Sequence, residues 1–132
     1  MKSILIVDDS SVIRKGLRTL LLNDADVRVC GEAANGEEAI ERARELHPDV
    51  IVLDVSMPVL NGLQAAPVLH RMLPAASIIL FTSYGSAVVR HGKTSGIDAV
   101  ISKDDGITNL LETIHTLAMD HEKLSPSDPK FN

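Results

Sequence analysis

Three acids, a hydroxyl and a lysine each stand at the end of a short apolar run. Asp8 and Asp9 follow Ile4-Leu5-Ile6-Val7, and Asp54 follows Val50-Ile51-Val52-Leu53. Thr82 follows Ile78-Ile79-Leu80-Phe81, and Lys103 follows Ala99-Val100-Ile101-Ser102. If these runs are strands lying side by side with one orientation, the five groups converge on one rim, the edge where open α/β sheets do their chemistry. Carboxylates crowded there repel one another and resist ionisation unless a divalent cation takes them as ligands. Oxygen-only donors, with places left for water and phosphate oxygens, suit Mg²⁺. A carboxylate so held can act as a nucleophile toward phosphorus, because the cation and an ammonium offset the incoming phosphoryl charge.

The elements that must position these groups are legible as apolar runs alternating five times with amphipathic helical patterns. This predicts an α/β fold, a doubly wound five-stranded parallel sheet in the order 2-1-3-4-5 with five helices. The strands fall at 3–7, 27–33, 50–54, 77–82 and 99–102. A first helix, capped by Ser10 or Ser11, carries Val12, Ile13, Leu17, Leu20 and Leu21 at helical spacing. A second opens at Asn35-Gly36, turns Ala39, Ile40, Ala43 and Leu46 inward, and stops at His47-Pro48-Asp49. A third runs from Asn61 or Gly62 toward Met72. Pro67 inside it removes a backbone donor at a cost of ~3 kcal/mol, which predicts a kink or a later start. A fourth, 86–93, is bracketed by Gly85, Gly92 and Gly96 and is expected to be the least stable. A fifth shows Ile107, Leu110, Leu111, Ile114 and Leu117 on one face. Ser125-Pro126-Ser127-Asp128-Pro129 has linker composition, so the domain is expected over 1–122 with a linker-like tail at 123–132.

The 132 residues fit one domain, and 45% hydrophobic with 23% charged content is ordinary for a soluble globular protein. No apolar run is long enough to span a bilayer, and no signal peptide is visible, so a cytoplasmic location without a membrane partner is expected. A net charge of −5 with no basic block argues against direct nucleic-acid binding by this segment. Cys30 reads as a buried strand thiol. His47, His70, His91, His115 and His121 lack the i,i+4 pairing of a helical metal site and read as structural or surface residues.

Taken together, Asp8-Asp9, Asp54 with Met57-Pro58 and Gly62 downstream, Thr82 and Lys103 make residues 3 to 120 resemble the receiver domain of two-component response regulators, with its flavodoxin-like fold. The string Asp-Asp-Ser-Ser-Val-Ile-Arg-Lys-Gly-Leu-Arg and Ser102-Lys103-Asp104 are similar to the branch whose members usually carry a C-terminal helix-turn-helix. The resemblance implies that Asp54 is the phosphoacceptor, taking phosphate from a sensor histidine kinase or phosphotransfer protein. It implies Mg²⁺ held by Asp9, Asp54 and the carbonyl of Ser56, with Asp8 acting through water. Lys103 would pair with the phosphoryl group and Thr82 would hydrogen-bond it. The domain would be a regulator rather than an enzyme, catalysing only its own phosphorylation and dephosphorylation. Its output face would be the fourth helix, fifth strand and fifth helix, with homodimerisation on phosphorylation as one consequence. Ser56 and Tyr84, two residues after Asp54 and Thr82, would flank the path of hydrolytic water and tune the lifetime, while the plainer reading of Tyr84 is a partly exposed loop residue.

Receivers commonly place Tyr or Phe three residues before the lysine, where this chain has Val100. Valine cannot make the aromatic swing, which leaves switching to Thr82 and the backbone after it. Taken singly, each position has a plainer reading: Asp9 as a helix cap, Thr82 as a strand-end hydroxyl, Lys103 as a surface charge. Two other classes compete. A haloacid-dehalogenase-like phosphatase also forms an aspartyl phosphate, but needs a second Asp where this chain has Ser56. A flavodoxin-like cofactor binder needs a phosphate loop after the first strand, where Asp8 and Asp9 would repel phosphate.

Overall fold

The computed structural model describes residues 1–83 and 96–123. Five strands, β1 (Lys2–Val7), β2 (Val27–Ala33), β3 (Val50–Leu53), β4 (Ser77–Thr82) and β5 (Ala99–Ser102), form one sheet in the order β2-β1-β3-β4-β5. Every neighbouring pair is parallel. The helices among the described residues are α1 (Ser11–Leu21), α2 (Gly36–Leu46), α3 (Gly62–Met72) and the C-terminal α4 (Ile107–Lys123). The helix expected over 86–93 lies outside the described residues.

Alternation along the strands divides the core into two layers, as the period of two requires when both faces are covered. Leu5, Val7, Ile51, Leu53, Ile78 and Leu80 face one side and meet Ala39 and Ala43 of α2 and Ala65, Ala66 and Leu69 of α3. The alanines on α2 and α3 let these helices lie close to the sheet. Ile4, Ile6, Val50, Val52, Ile79 and Phe81 face the other side and meet Leu17 and Leu21 of α1 with Leu110 and Ile114 of α4. Each fully buried Leu or Ile contributes about 1.5–3 kcal/mol relative to exposure. These two layers therefore dominate what holds the rim rigid.

Helix starts follow the capping residues. Ser10 accepts from the Ile13 N–H, Asn35 from that of Glu38, and Asn61 forms a reciprocal capping box with Gln64. His47 takes the left-handed conformation at φ 48° and closes α2 before Pro48.

The structure departs from the sequence expectations in several details. β3 ends at Leu53, one residue before Asp54, although the Asp54 N–H still donates to the Val7 carbonyl at 2.9 Å. Helix α3 starts at its cap and runs through Pro67, so no later start is needed. Cys30 is half-buried at a bulge, where Ile4 pairs with Val29 and Leu5 with Gly31. The bulge sets the thiol to one side, where it donates to the Ile4 carbonyl at 3.4 Å, and burial pushes its pKa up. Val12 of α1 is 78% exposed and Leu46 of α2 is 38% exposed, so the inward faces are narrower than their apolar spacing suggests. Ile107, at 39% exposed, likewise sits at the edge of the buried stripe of α4.

Candidate functional site

Parallel registration brings the strand ends together. Val7 pairs with Leu53, Leu53 with Leu80, and Thr82 with Ser102, so Asp8, Asp54 and Lys103 leave the sheet at the same edge. Asp8 and Asp54 are buried and Asp9 is exposed. One carboxylate oxygen from each of the three lies within 4.8 Å of the others. Lys103 reaches into this cluster, its Nζ 2.9 Å from Asp8 Oδ2 and 3.3 Å from Asp54 Oδ2. Its ammonium also lies 6.0 Å from the centre of the Phe81 ring.

Local chain geometry aims each group. Asp8 Oδ1 accepts from the Ser10 N–H at 2.9 Å, which turns the chain from β1 into α1 and leaves Oδ2 for the lysine. After β5, Ser102 accepts from the Asp104 N–H at 3.2 Å and starts a 3₁₀ turn, Lys103–Asp105, that points Lys103 inward. The loop after β3 is shaped by close backbone contacts. A Cβ on Gly62 would sit 2.1 Å from the Asp54 carbonyl oxygen, and one on Gly36 would sit 2.5 Å from that of Leu60. Between them, Val59 has φ 68° and Leu60 N–H donates to Pro58 O at 2.7 Å, a γ-turn in a region β-branched residues avoid.

The electrostatics follow from burial and sign. Burial, then the charge of Asp8, raises the Asp54 pKa, while Lys103 and the Ser56 N–H work against the shift. Burial works against the Lys103 ammonium, but the two aspartates outweigh it and its pKa is raised. Among the described residues three carboxylates face the Lys103 ammonium, so the cluster retains room in charge for a cation. Its donors are all oxygens, as Mg²⁺ requires.

Of the other residues singled out by sequence, Thr82 is fully buried at the end of β4. Ser56 is exposed two residues beyond Asp54. Val100 is partly buried and packs against the layer under α2 and α3. Tyr84 lies outside the described residues. Sequence reasoning missed Arg14 of α1, whose Nη1 donates to the Asp8 carbonyl at 2.6 Å, and Glu32 of β2, which accepts from Arg14 Nε at 3.1 Å. Opposite charges near adjoining strand and helix ends were the available signal. A second group of donors, Asp24, Asp26 and His115, joins the loop before β2 to α4. The hydrogen bond from His115 holds the Asp24 carboxyl below its ordinary pKa.

A doubly wound parallel sheet with an acidic rim closed by a strand-end lysine defines a narrow class of domain. The profile of the response regulator receiver domain matches residues 4–115, and the chain belongs to that family of two-component systems. It is 33% identical over 123 residues to the transcriptional regulatory protein LnrK of Bacillus subtilis, covering 90% of this chain and 56% of that protein. It is 40% identical over 96 residues to a protein-glutamate methylesterase/protein-glutamine glutaminase of Methanosarcina acetivorans, covering 73% of this chain and 26% of that protein. The chain thus spans between about a quarter and just over half the length of these relatives. Among solved structures, the response regulator domain of Thermotoga maritima CheB superposes with a TM-score of 0.80 at 33% identity, over 89% of this chain and 96% of that one. No helix among the described residues is long and apolar enough to cross a membrane.

Proposed function

We propose that this domain is a Mg²⁺-dependent phosphoacceptor switch in which Asp54 takes a phosphoryl group from a sensor histidine kinase or phosphotransfer protein. The observation that carries this reading is the buried Asp54 carboxylate, with Asp8 and Asp9 oxygens within 4.8 Å and Lys103 Nζ at 3.3 Å. An Asp54 oxygen attacks phosphorus in line with the donor's leaving group, the P–O bond forms as the P–N bond to the donor imidazole breaks, and the imidazole leaves with the bonding pair. Lys103 then exchanges part of its pairing with Asp8 and Asp54 for a phosphoryl oxygen, placing a fixed positive charge where negative charge accumulates. Thr82, at the end of the adjoining strand, supplies a hydroxyl to a second phosphoryl oxygen. Asp9, Asp54 and the Ser56 carbonyl would hold Mg²⁺, with Asp8 acting through water, and the ion would neutralise phosphoryl charge during transfer.

Movement of Thr82 toward the phosphoryl group would bias the chain that follows it, with Val100 giving space rather than an aromatic swing. The output would be exerted through the face around β5 and α4, by contact with a downstream partner or by homodimerisation. The relatives include a protein named a transcriptional regulator and one named a methylesterase, so one input domain serves different outputs. Control of transcription is the output we favour if a DNA-binding domain follows this one, a reading supported by the similarity to the transcriptional regulatory protein LnrK. Ser56 is too small to shield phosphorus from water, which leaves the lifetime of the phosphorylated state to Tyr84. Incubation with acetyl phosphate and Mg²⁺ should add one base-labile phosphoryl group, lost in Asp54→Ala and in EDTA. Equal labelling of Asp54→Ala would overturn the assignment.

A further inference from the structure

Asp8 is held at four points. Its N–H donates to the Ala33 carbonyl at 3.1 Å, its Oδ1 accepts from the Ser10 N–H at 2.9 Å, and its Oδ2 accepts from Lys103 at 2.9 Å. The fourth is its own carbonyl, which accepts from Arg14 Nη1 at 2.6 Å. That carbonyl belongs to the peptide joining Asp8 to Asp9. Asp9 is exposed, so the plane of this peptide sets the direction from which its carboxylate meets the rim. Arg14 is itself oriented, because its Nε donates to Glu32 Oε1 at 3.1 Å while Glu32 Oε2 is taken by Arg18. The Arg14 and Glu32 side chains are only 19% and 25% exposed, which limits competition from water.

We propose that Arg14, oriented by Glu32, is a positioning residue that fixes the Asp8–Asp9 peptide and so presets the acidic pair for a divalent cation. This rests on reading the rim as a Mg²⁺ site. Arg14 touches neither the cation nor the phosphoryl group. What it supplies is geometry: one donor of a planar fork goes to a carboxylate on β2 while another goes to a carbonyl at the end of β1. A lysine carries the same charge but no rigid fork, so it cannot hold both acceptors in a fixed relation. Groups that orient metal ligands from behind typically change metal affinity by about 10- to 100-fold when removed.

The test is calorimetric titration of the folded chain with Mg²⁺, paired with amide hydrogen exchange at Asp9 and Ser10 in metal-free protein. Arg14→Gln should weaken Mg²⁺ by at least about tenfold and speed exchange at both amides, and Arg14→Lys should restore neither. Glu32→Gln should move both readouts in the same direction by less, whereas Arg18→Gln, which leaves the Arg14 bridge intact, should stay near wild type. Wild-type affinity and exchange in folded Arg14→Gln would overturn the proposal, as would full rescue by Arg14→Lys, which would reduce the role to charge. Should Arg14→Gln not fold, unchanged affinity and exchange in Glu32→Gln overturns it equally. Absence of Mg²⁺ binding by the wild type, relative to Asp9→Asn as control, would instead remove the metal reading of the rim, while the exchange measurement would still decide whether Arg14 fixes the peptide.

Discussion

Under the proposed function Asp54 meets two opposing demands, since attack on phosphorus needs it ionised while burial and Asp8 favour its neutral form. An acid whose folded pKa is raised binds its proton more readily in the folded state. Its contribution to stability is therefore fully present below the unfolded value, near 3.8, and is lost as pH rises through the folded pKa. Carbon-13 titration of the metal-free protein should place the Asp54 midpoint above 3.8, and Asp8→Asn should lower it. In the same metal-free protein Asp54→Asn should be the more stable form at neutral pH, with the difference shrinking as pH falls through the raised folded pKa toward 3.8 and constant below it. A midpoint at or below 3.8, or a less stable Asp54→Asn at neutral pH, would contradict this account. Val59 stores a different kind of strain. A β-branched residue at φ 68° costs on the order of 1–3 kcal/mol, and glycine relieves it at some entropic cost of its own. Val59→Gly should raise the unfolding free energy by about 1 kcal/mol in urea, whereas a loss of similar size would mean that the valine methyls pack better than their 73% exposure suggests.

Among the elements, α3 carries an avoidable cost. Pro67 removes the donor that would reach the Leu63 carbonyl, yet the capping box at Asn61 and the burial of Ala65, Ala66 and Leu69 hold the helix through it. Pro67→Ala should therefore raise the thermal midpoint, and a lowered midpoint would show that the ring's packing outweighs the lost bond. The same contest explains what could be read in advance. β2, β4 and β5 occupy the residues their β-branched runs marked out, because turn residues bound each run. Asp8, Asp54 and Lys103 were legible because parallel strands deliver their ends to one side regardless of what lies between. The Arg14–Glu32 link was not legible, since it depends on β2 lying beside β1 and on two side-chain directions across 18 residues of sequence. Val12 and Leu46 show the converse, apolar residues in helical phase that remain 78% and 38% exposed.

For the molecule as a whole, one parallel sheet carries the acidic rim, and the described helices cover both of its faces. Asp24 and His115 tie the loop after α1 to the last helix, far along the chain from the rim. Since the His115 bond lowers the Asp24 pKa, the contribution of the Asp24 carboxylate to that tie is lost as pH falls through the lowered value. A receiver joined to different effectors needs a single chemical event at the rim that every output can read. The central claim is that this event is phosphorylation of Asp54, and it is tested most directly by locating the phosphoryl group. Treatment with acetyl phosphate and Mg²⁺, reductive trapping with borohydride and peptide mass analysis should find homoserine at position 54 alone, and only when Mg²⁺ is present. Homoserine at another aspartate, or none at any position after Mg²⁺ saturation, would contradict it.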